Sequence, residues 1–201
     1  MNNKLKKDFY KRNVLLAAKD LLGKIFVYND LNLEVKLSAK IVEVEAYDGK
    51  IDEAAHTFNG KTERNKIMFE EGGFLYIYFT YGIHFCANIV TGKKDHGTAV
   101  LLRAMEPISG LEVFGKRRFN KKELSEKEKI NLLNGPAKIC QAFNIDRKQN
   151  GTDLTKGEIY LLYAPKIPTN KVVKTTRIGI KKSTELPWRF YIKDNQYISK
   201  K

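Results

Sequence analysis

The sequence predicts one mixed α and β domain with mostly antiparallel strands, and three features carry that expectation. Its 201 residues suit a single domain spanning 1–201, and 42% hydrophobic content is enough to bury a core. Short runs rich in β-branched and aromatic residues recur between Gly, Asn and Asp turn signals. Only a few brief segments have helical periodicity, and no long helix alternates with each strand as a parallel sheet would need.

The elements follow in order. Val14–Leu22 reads as a helix in which Val14, Leu15, Leu16, Leu21 and Leu22 share a face, with Gly23 as its stop. A strand over 24–28 and a turn at Asn29-Asp30-Leu31-Asn32 lead to a second strand over 39–47. Strict alternation there puts Val42, Val44 and Ala46 on the core face, and Ile41, Glu43, Glu45 and Tyr47 on the other. Asp48-Gly49-Lys50 turns the chain, 52–56 forms a short helical turn, and 57–66 is a polar, basic loop. Strands over 74–81 and 83–90 meet at Thr80-Tyr81-Gly82 as a hairpin. A buried strand over 100–104, a helix over 111–118, a charged surface segment over 119–130 and a helix over 136–143 follow. Strands over 159–163, 171–180 and 190–192 complete the sheet.

Composition narrows the function. The net charge of +14 points to a polyanionic partner, most simply a nucleic acid. No segment is apolar and long enough to span a membrane, and the charged start Met1–Arg12 has no signal-peptide core, which predicts the cytoplasm. Cys86 and Cys140 stand far apart, so no disulfide is expected. His56, His84 and His96 have no zinc-ligand spacing, so no metal is expected.

Three places suggest chemistry. Glu43 and Glu45 point the same way along a strand, with Tyr47 beside them. A carboxylate next to an aromatic ring suits a site that stacks a flat base beside a general base. Strand geometry does not choose between the two glutamates. Tyr81, before Gly82 at a hairpin tip, has little core to enter and could wedge between base pairs. Arg103 ends the apolar run Val100-Leu101-Leu102 and needs a carboxylate partner, either in a structural salt bridge or in the site itself.

Those residues sit in motifs that resemble the alkyladenine (3-methyladenine) DNA glycosylases. They are Ile41-Val42-Glu43-Val44-Glu45-Ala46-Tyr47, Asp52-Glu53-Ala54-Ala55-His56, Thr62-Glu63-Arg64-Asn65 and Met68-Phe69. Tyr76-Ile77-Tyr78, then Tyr81 through Asn88, Leu101 through Pro107, Asn134-Gly135-Pro136, Cys140-Gln141-Ala142 and Arg177-Ile178-Gly179 continue in the same order. The resemblance runs over nearly the whole chain and implies an α+β domain on a curved, mostly antiparallel sheet, with surrounding helices and a protruding β-hairpin.

It also implies roles. Glu45 would be the general base that activates water, with Arg103 and the backbone carbonyl of Ile178 holding that water. Tyr47 would stack on one face of a flipped base, His56 and Tyr78 on the other. Asn88 would line the pocket where it can clash with a guanine amino group. Tyr81 would fill the gap in the duplex, with Ile83 and Arg64 also contacting DNA. Apart from the resemblance, Glu43 is expected to orient a neighbouring basic group. The implied reaction is hydrolytic release of alkylated or deaminated purines from double-stranded DNA by a monomer with no cofactor, associated with the nucleoid in a bacterium. Other members differ at the positions of Ile83 and His84, so lesion preference does not transfer. Two readings compete: a basic module that binds nucleic acid without catalysis, and a bifunctional enzyme whose lysine forms a Schiff base.

Overall fold

The computed structural model describes residues 3–200. Two short helices, α1 (Lys7–Tyr10) and α2 (Val14–Leu21), precede the sheet. Asn13 caps α2 by accepting hydrogen bonds from the amides of Leu15 and Leu16, and Gly23 ends the segment at φ 82°. The buried stripe of α2 is Val14, Ala17, Ala18 and Leu21. Leu16 faces solvent, contrary to the sequence expectation, because two residues at about 100° each turn it away from Val14.

β1 (Ile25–Asp30) and β2 (Val35–Asp48) are both longer than the sequence suggested. Asn29 and Asp30 belong to β1 rather than to the turn. Asp30 Oδ1 accepts the amides of Asn32 and Leu33, so the chain reverses only after it. β3 (Leu75–Thr80) and β4 (His84–Thr91) form the expected hairpin, and β5 (Thr98–Ser109) pairs with both β4 and β2.

α3 (Leu111–Phe119), α4 (Glu126–Asn131) and α5 (Pro136–Phe143) come next. α4 lies inside the segment expected to be plain surface; a reciprocal Ser125–Glu128 capping box starts it. β6 (Ile159–Leu162), β7 (Val172–Thr175) and β8 (Arg189–Ile192) finish the chain. The strand expected over 171–180 stops at Thr175, because Arg177 leaves the sheet for a buried carboxylate.

All pairings between these strands are antiparallel, in the order β3-β4-β5-β2-β1-β6, with β8 on β2 and β7 on β8. The result is the curled α+β architecture that the sequence predicts. β2 is the organiser. Its first half pairs with β1, and its residues 43–45 pair with β8, so one edge changes partner along its length.

The main core fills one face of the sheet. Phe26, Phe114 and Phe143 pack there edge to face or tilted, with centroids 5.1 Å apart for Phe26–Phe143 and 4.8 Å for Phe114–Phe143. These contacts seat α3 and α5 against the sheet by burying large aromatic area. The opposite face of β2 carries the polar residues. Among the described residues, no helix is long and apolar enough to cross a membrane.

Candidate active site

The simple alternation expected for β2 fails at one point, and that failure builds the site. Ile41 pairs with Met105 and Glu43 with Ala104, so Val42 is an extra residue on β2. Val44 then pairs with Leu102, which makes Arg103 the extra residue on β5. Each is a β-bulge, a device that re-aims side chains. Ile41 therefore joins Val44 and Ala46 in the main core, while Val42 packs with Ala104 and Ile198 in a separate cluster. The sequence expectation had placed Ile41 and Val42 the other way round. The second bulge turns the Arg103 guanidinium toward both glutamates.

Glu43 and Glu45 are both fully buried, and their surroundings separate them. An ionised carboxylate offers about four acceptor positions. Four donors meet Glu43, two of them guanidinium groups. Its Oε1 accepts from Arg103 Nε at 3.1 Å, Arg189 Nε at 2.7 Å and Ser199 Oγ at 2.8 Å; its Oε2 accepts the Ser199 amide at 2.5 Å. Glu45 Oε1 accepts the Ile178 amide at 2.8 Å and lies 3.3 Å from Arg103 Nη1. Among the described residues, Glu45 Oε2 accepts only the Tyr47 hydroxyl, at 2.9 Å. One acceptor position therefore remains on Glu45, on the Tyr47 side. Ile178 meets the carboxylate through its amide, a contact the sequence did not suggest.

Burial raises the pKa of Glu45 above the ordinary carboxylate range, with Arg103, the Ile178 amide and the Tyr47 hydroxyl pulling the other way. A carboxylate so held is a stronger proton acceptor than one in water. Tyr47 is itself pushed well above its usual pKa, by burial first and then by Glu45, so its hydroxyl stays protonated and donates.

Tyr47 forms one wall of a cavity of about 190 Å³. The Arg177 guanidinium covers the back of its ring at 4.6 Å from the centroid, leaving one face for a planar guest. Arg177 is fixed by a bidentate pair with Asp52, at 2.5 and 2.8 Å, and by the Ala46 carbonyl at 3.0 Å. His56, Tyr76 and Tyr78 form the opposing wall. His56 meets Tyr78 edge to face at 4.5 Å, and its Nδ1 lies 3.0 Å from the Tyr76 hydroxyl. Desolvation, reinforced by Arg64, lowers the His56 pKa, so the ring is neutral at pH 7 even though it sits at the open rim. Buried Asn65 holds the loop in place through the His56 and Gly60 carbonyls. Asn88 also lines the cavity; its amide is oriented by donation to the Tyr76 carbonyl at 3.2 Å.

The hairpin tip stands beside this cavity. Tyr81 is 84% exposed and Ile83 72%. Tyr81 and Gly82 both take left-handed backbone, φ 51° and 70°. That turn matches the strand twist but is unfavourable for a bulky residue. Arg64 braces the hairpin by donating to the Phe79 carbonyl at 3.2 Å. The structure thus gathers Glu45, Arg103, Ile178, Tyr47, His56, Tyr78 and Asn88 at one place, with Tyr81 and Ile83 on the adjacent hairpin and Arg64 against it.

Sequence reasoning gave no role to Arg177, Tyr76, Arg189 or Ser199. Arg177 stood in a quoted motif, and a lone arginine between Thr176 and Ile178 was its signal. Cys86 and Cys140 are both free and buried. Among the described residues, no group of three or more His, Cys, Asp or Glu gathers in a way that could hold a metal ion.

The chain is similar to known proteins over nearly its whole length. A sequence model described as methylpurine-DNA glycosylase matches residues 8–196. A protein of Clostridium botulinum (strain Alaska E43 / Type E3), provisionally named a 3-methyladenine DNA glycosylase, is 48% identical over 98% of this chain and 99% of its own. Similarly named proteins of Clostridium novyi (strain NT) and Carboxydothermus hydrogenoformans are 49% and 46% identical, each over 98% of this chain and 99% of its own. With its site geometry and near-complete coverage by these relatives, the chain belongs to the methylpurine-DNA glycosylase family, hydrolases that act on glycosidic bonds.

Proposed function

We propose that this protein, as a monomer, flips alkylated or deaminated purines out of duplex DNA and releases them by hydrolysis, with water as the nucleophile. Its substrates on this reading are 3-methyladenine, 7-methylguanine and hypoxanthine. The observation that carries the proposal is the buried Glu45 carboxylate, with one acceptor position free behind the aromatic wall of a base-sized cavity.

In the proposed reaction the flipped purine lies between Tyr47 and the His56–Tyr78 wall. Cleavage of the N-glycosidic bond builds positive charge on the sugar, and ionised Glu45 stabilises it. Glu45 also takes the proton of the attacking water as the C–O bond forms and the base departs with the bonding pair. Arg103 and the Ile178 carbonyl position that water. Neutral His56 places no charge against a cationic alkylpurine. Asn88 sits where an exocyclic amino group would reach, Tyr81 and Ile83 fill the duplex, and Arg64 takes a backbone phosphate. A neutral lesion such as hypoxanthine needs protonation as well before it can leave.

The test is incubation with methylated duplex DNA and analysis of the supernatant. Free methylpurines should appear, strands should stay intact without alkali, and borohydride should trap no protein–DNA adduct. Binding without base release would favour the non-catalytic module. A trapped adduct would favour a lysine nucleophile.

Affinity for undamaged duplex should fall steeply with salt, with a log–log slope of about −0.9 for each phosphate neutralised. The +14 charge motivates this expectation, and a flat response would contradict the DNA-binding reading.

A further inference from the structure

The Arg103 guanidinium is held at three separate points. Nε donates to Glu43, Nη1 faces Glu45, and Nη2 donates to Ser199 Oγ at 3.3 Å. Two of these anchors leave a flat group free to tilt; the third fixes its plane. The Ser199 hydroxyl in turn donates to Glu43 Oε1 at 2.8 Å, and the Ser199 amide donates to Glu43 Oε2. The segment bearing Ser199 is itself anchored. Ile198 is buried against Val42 and Ala104, next to both bulges, and Arg189 reaches the Lys200 carbonyl.

We infer that Ser199 is a positioning residue for base release, acting through Arg103 on the geometry of Glu45. This inference rests on Glu45 being the general base. Ser199 lies 156 residues from Glu43 and touches no part of the cavity, so it acts only through the guanidinium and its partner. Removing its hydroxyl takes away the Nη2 acceptor and one donor to Glu43 together. Arg103 then moves relative to Glu45 and supports the ionised carboxylate less well.

The experiment compares Ser199→Ala, Ser199→Thr and Glu45→Gln with the unaltered protein on a duplex carrying one hypoxanthine. It measures single-turnover release against pH, the Kd for the same duplex, and thermal melting. Ser199→Ala should release base roughly 10- to 100-fold more slowly with unchanged Kd, as a small misplacement does. The fall in rate on the acid side should move to higher pH, because less help from Arg103 lets the Glu45 pKa rise further. Tyr47, Glu43, Arg177 and Tyr78 also bear on Glu45; none of them is substituted, and Glu43 keeps Arg189 and the Ser199 amide. Ser199→Thr keeps the hydroxyl at a half-buried position and should recover most of the rate.

An unchanged rate and acid limb in Ser199→Ala would overturn the inference. So would a slower rate with an unmoved limb, a weakened Kd, or loss of cooperative melting, each of which marks a purely structural or binding role. If Glu45→Gln is inactive while Ser199→Ala matches the unaltered protein, only the Ser199 inference falls. If Glu45→Gln is fully active, the assignment of the base falls first.

Discussion

Replacing Glu45 with glutamine should slow single-turnover base release by roughly 10²–10⁴-fold, the usual cost of losing a general base, with loss of charge stabilisation adding to it. The substitution is well suited to the site. A glutamine oxygen can keep the Ile178 amide and Arg103, while its amino group faces the Tyr47 hydroxyl, which rotates to accept. Folding and binding to damaged duplex should therefore survive. The pH profile supplies a second check. Burial raises the Glu45 pKa, so the carboxylate is protonated, and activity lost, at a higher pH than for an ordinary glutamate. In the unaltered protein the rate should fall as pH drops through that raised value; Glu45→Gln should show no such limb. Normal turnover by Glu45→Gln would remove Glu45 from the chemistry. Glu43 cannot substitute, because four donors already occupy it.

The second large effect is expected at Tyr81. Its ring is 84% exposed, so Tyr81→Ala should leave the melting temperature almost unchanged. Extruding a nucleotide costs a few kcal/mol, and the proposed wedge offsets part of that. Losing about 1.4–2.8 kcal/mol of that support corresponds to roughly 10- to 100-fold slower release from duplex. Release from single-stranded DNA should be far less affected, because no gap has to be filled. An equal loss on both substrates would show that Tyr81 acts in the pocket rather than in the duplex.

The sequence was most informative where function rests on local pattern. Glu45 and Tyr47 share a strand face through simple alternation, and Tyr81 stands next to a glycine in the three-residue turn between Thr80 and His84. The bulges at Val42 and Arg103 left no such mark. Val42 is an ordinary strand residue, and its change of side depends on pairing with β5. That pairing also separates the two glutamates, which alternation alone had left equivalent. Arg177, Arg189 and Ser199 were hidden for a different reason. Their partners lie 125, 146 and 156 residues away, beyond the reach of any local pattern. The capping box at Ser125–Glu128 was legible as spacing, but the surrounding charge masked it.

The change of partner along β2 has a consequence for the order in which the molecule assembles. Early in the chain, β2 can pair with β1 through a short turn at low entropic cost. Its central carboxylates cannot be buried at that stage, because Arg189 and Ser199 have yet to arrive, and an uncompensated interior charge is strongly unfavourable. Glu43 lacks two of its partners until β8 and the segment after it dock. Closure of the sheet and completion of the reactive centre are then a single late event. On the reading that Glu45 is the general base, undocking of the carboxyl-terminal segment should end base release before the bulk of the core comes apart.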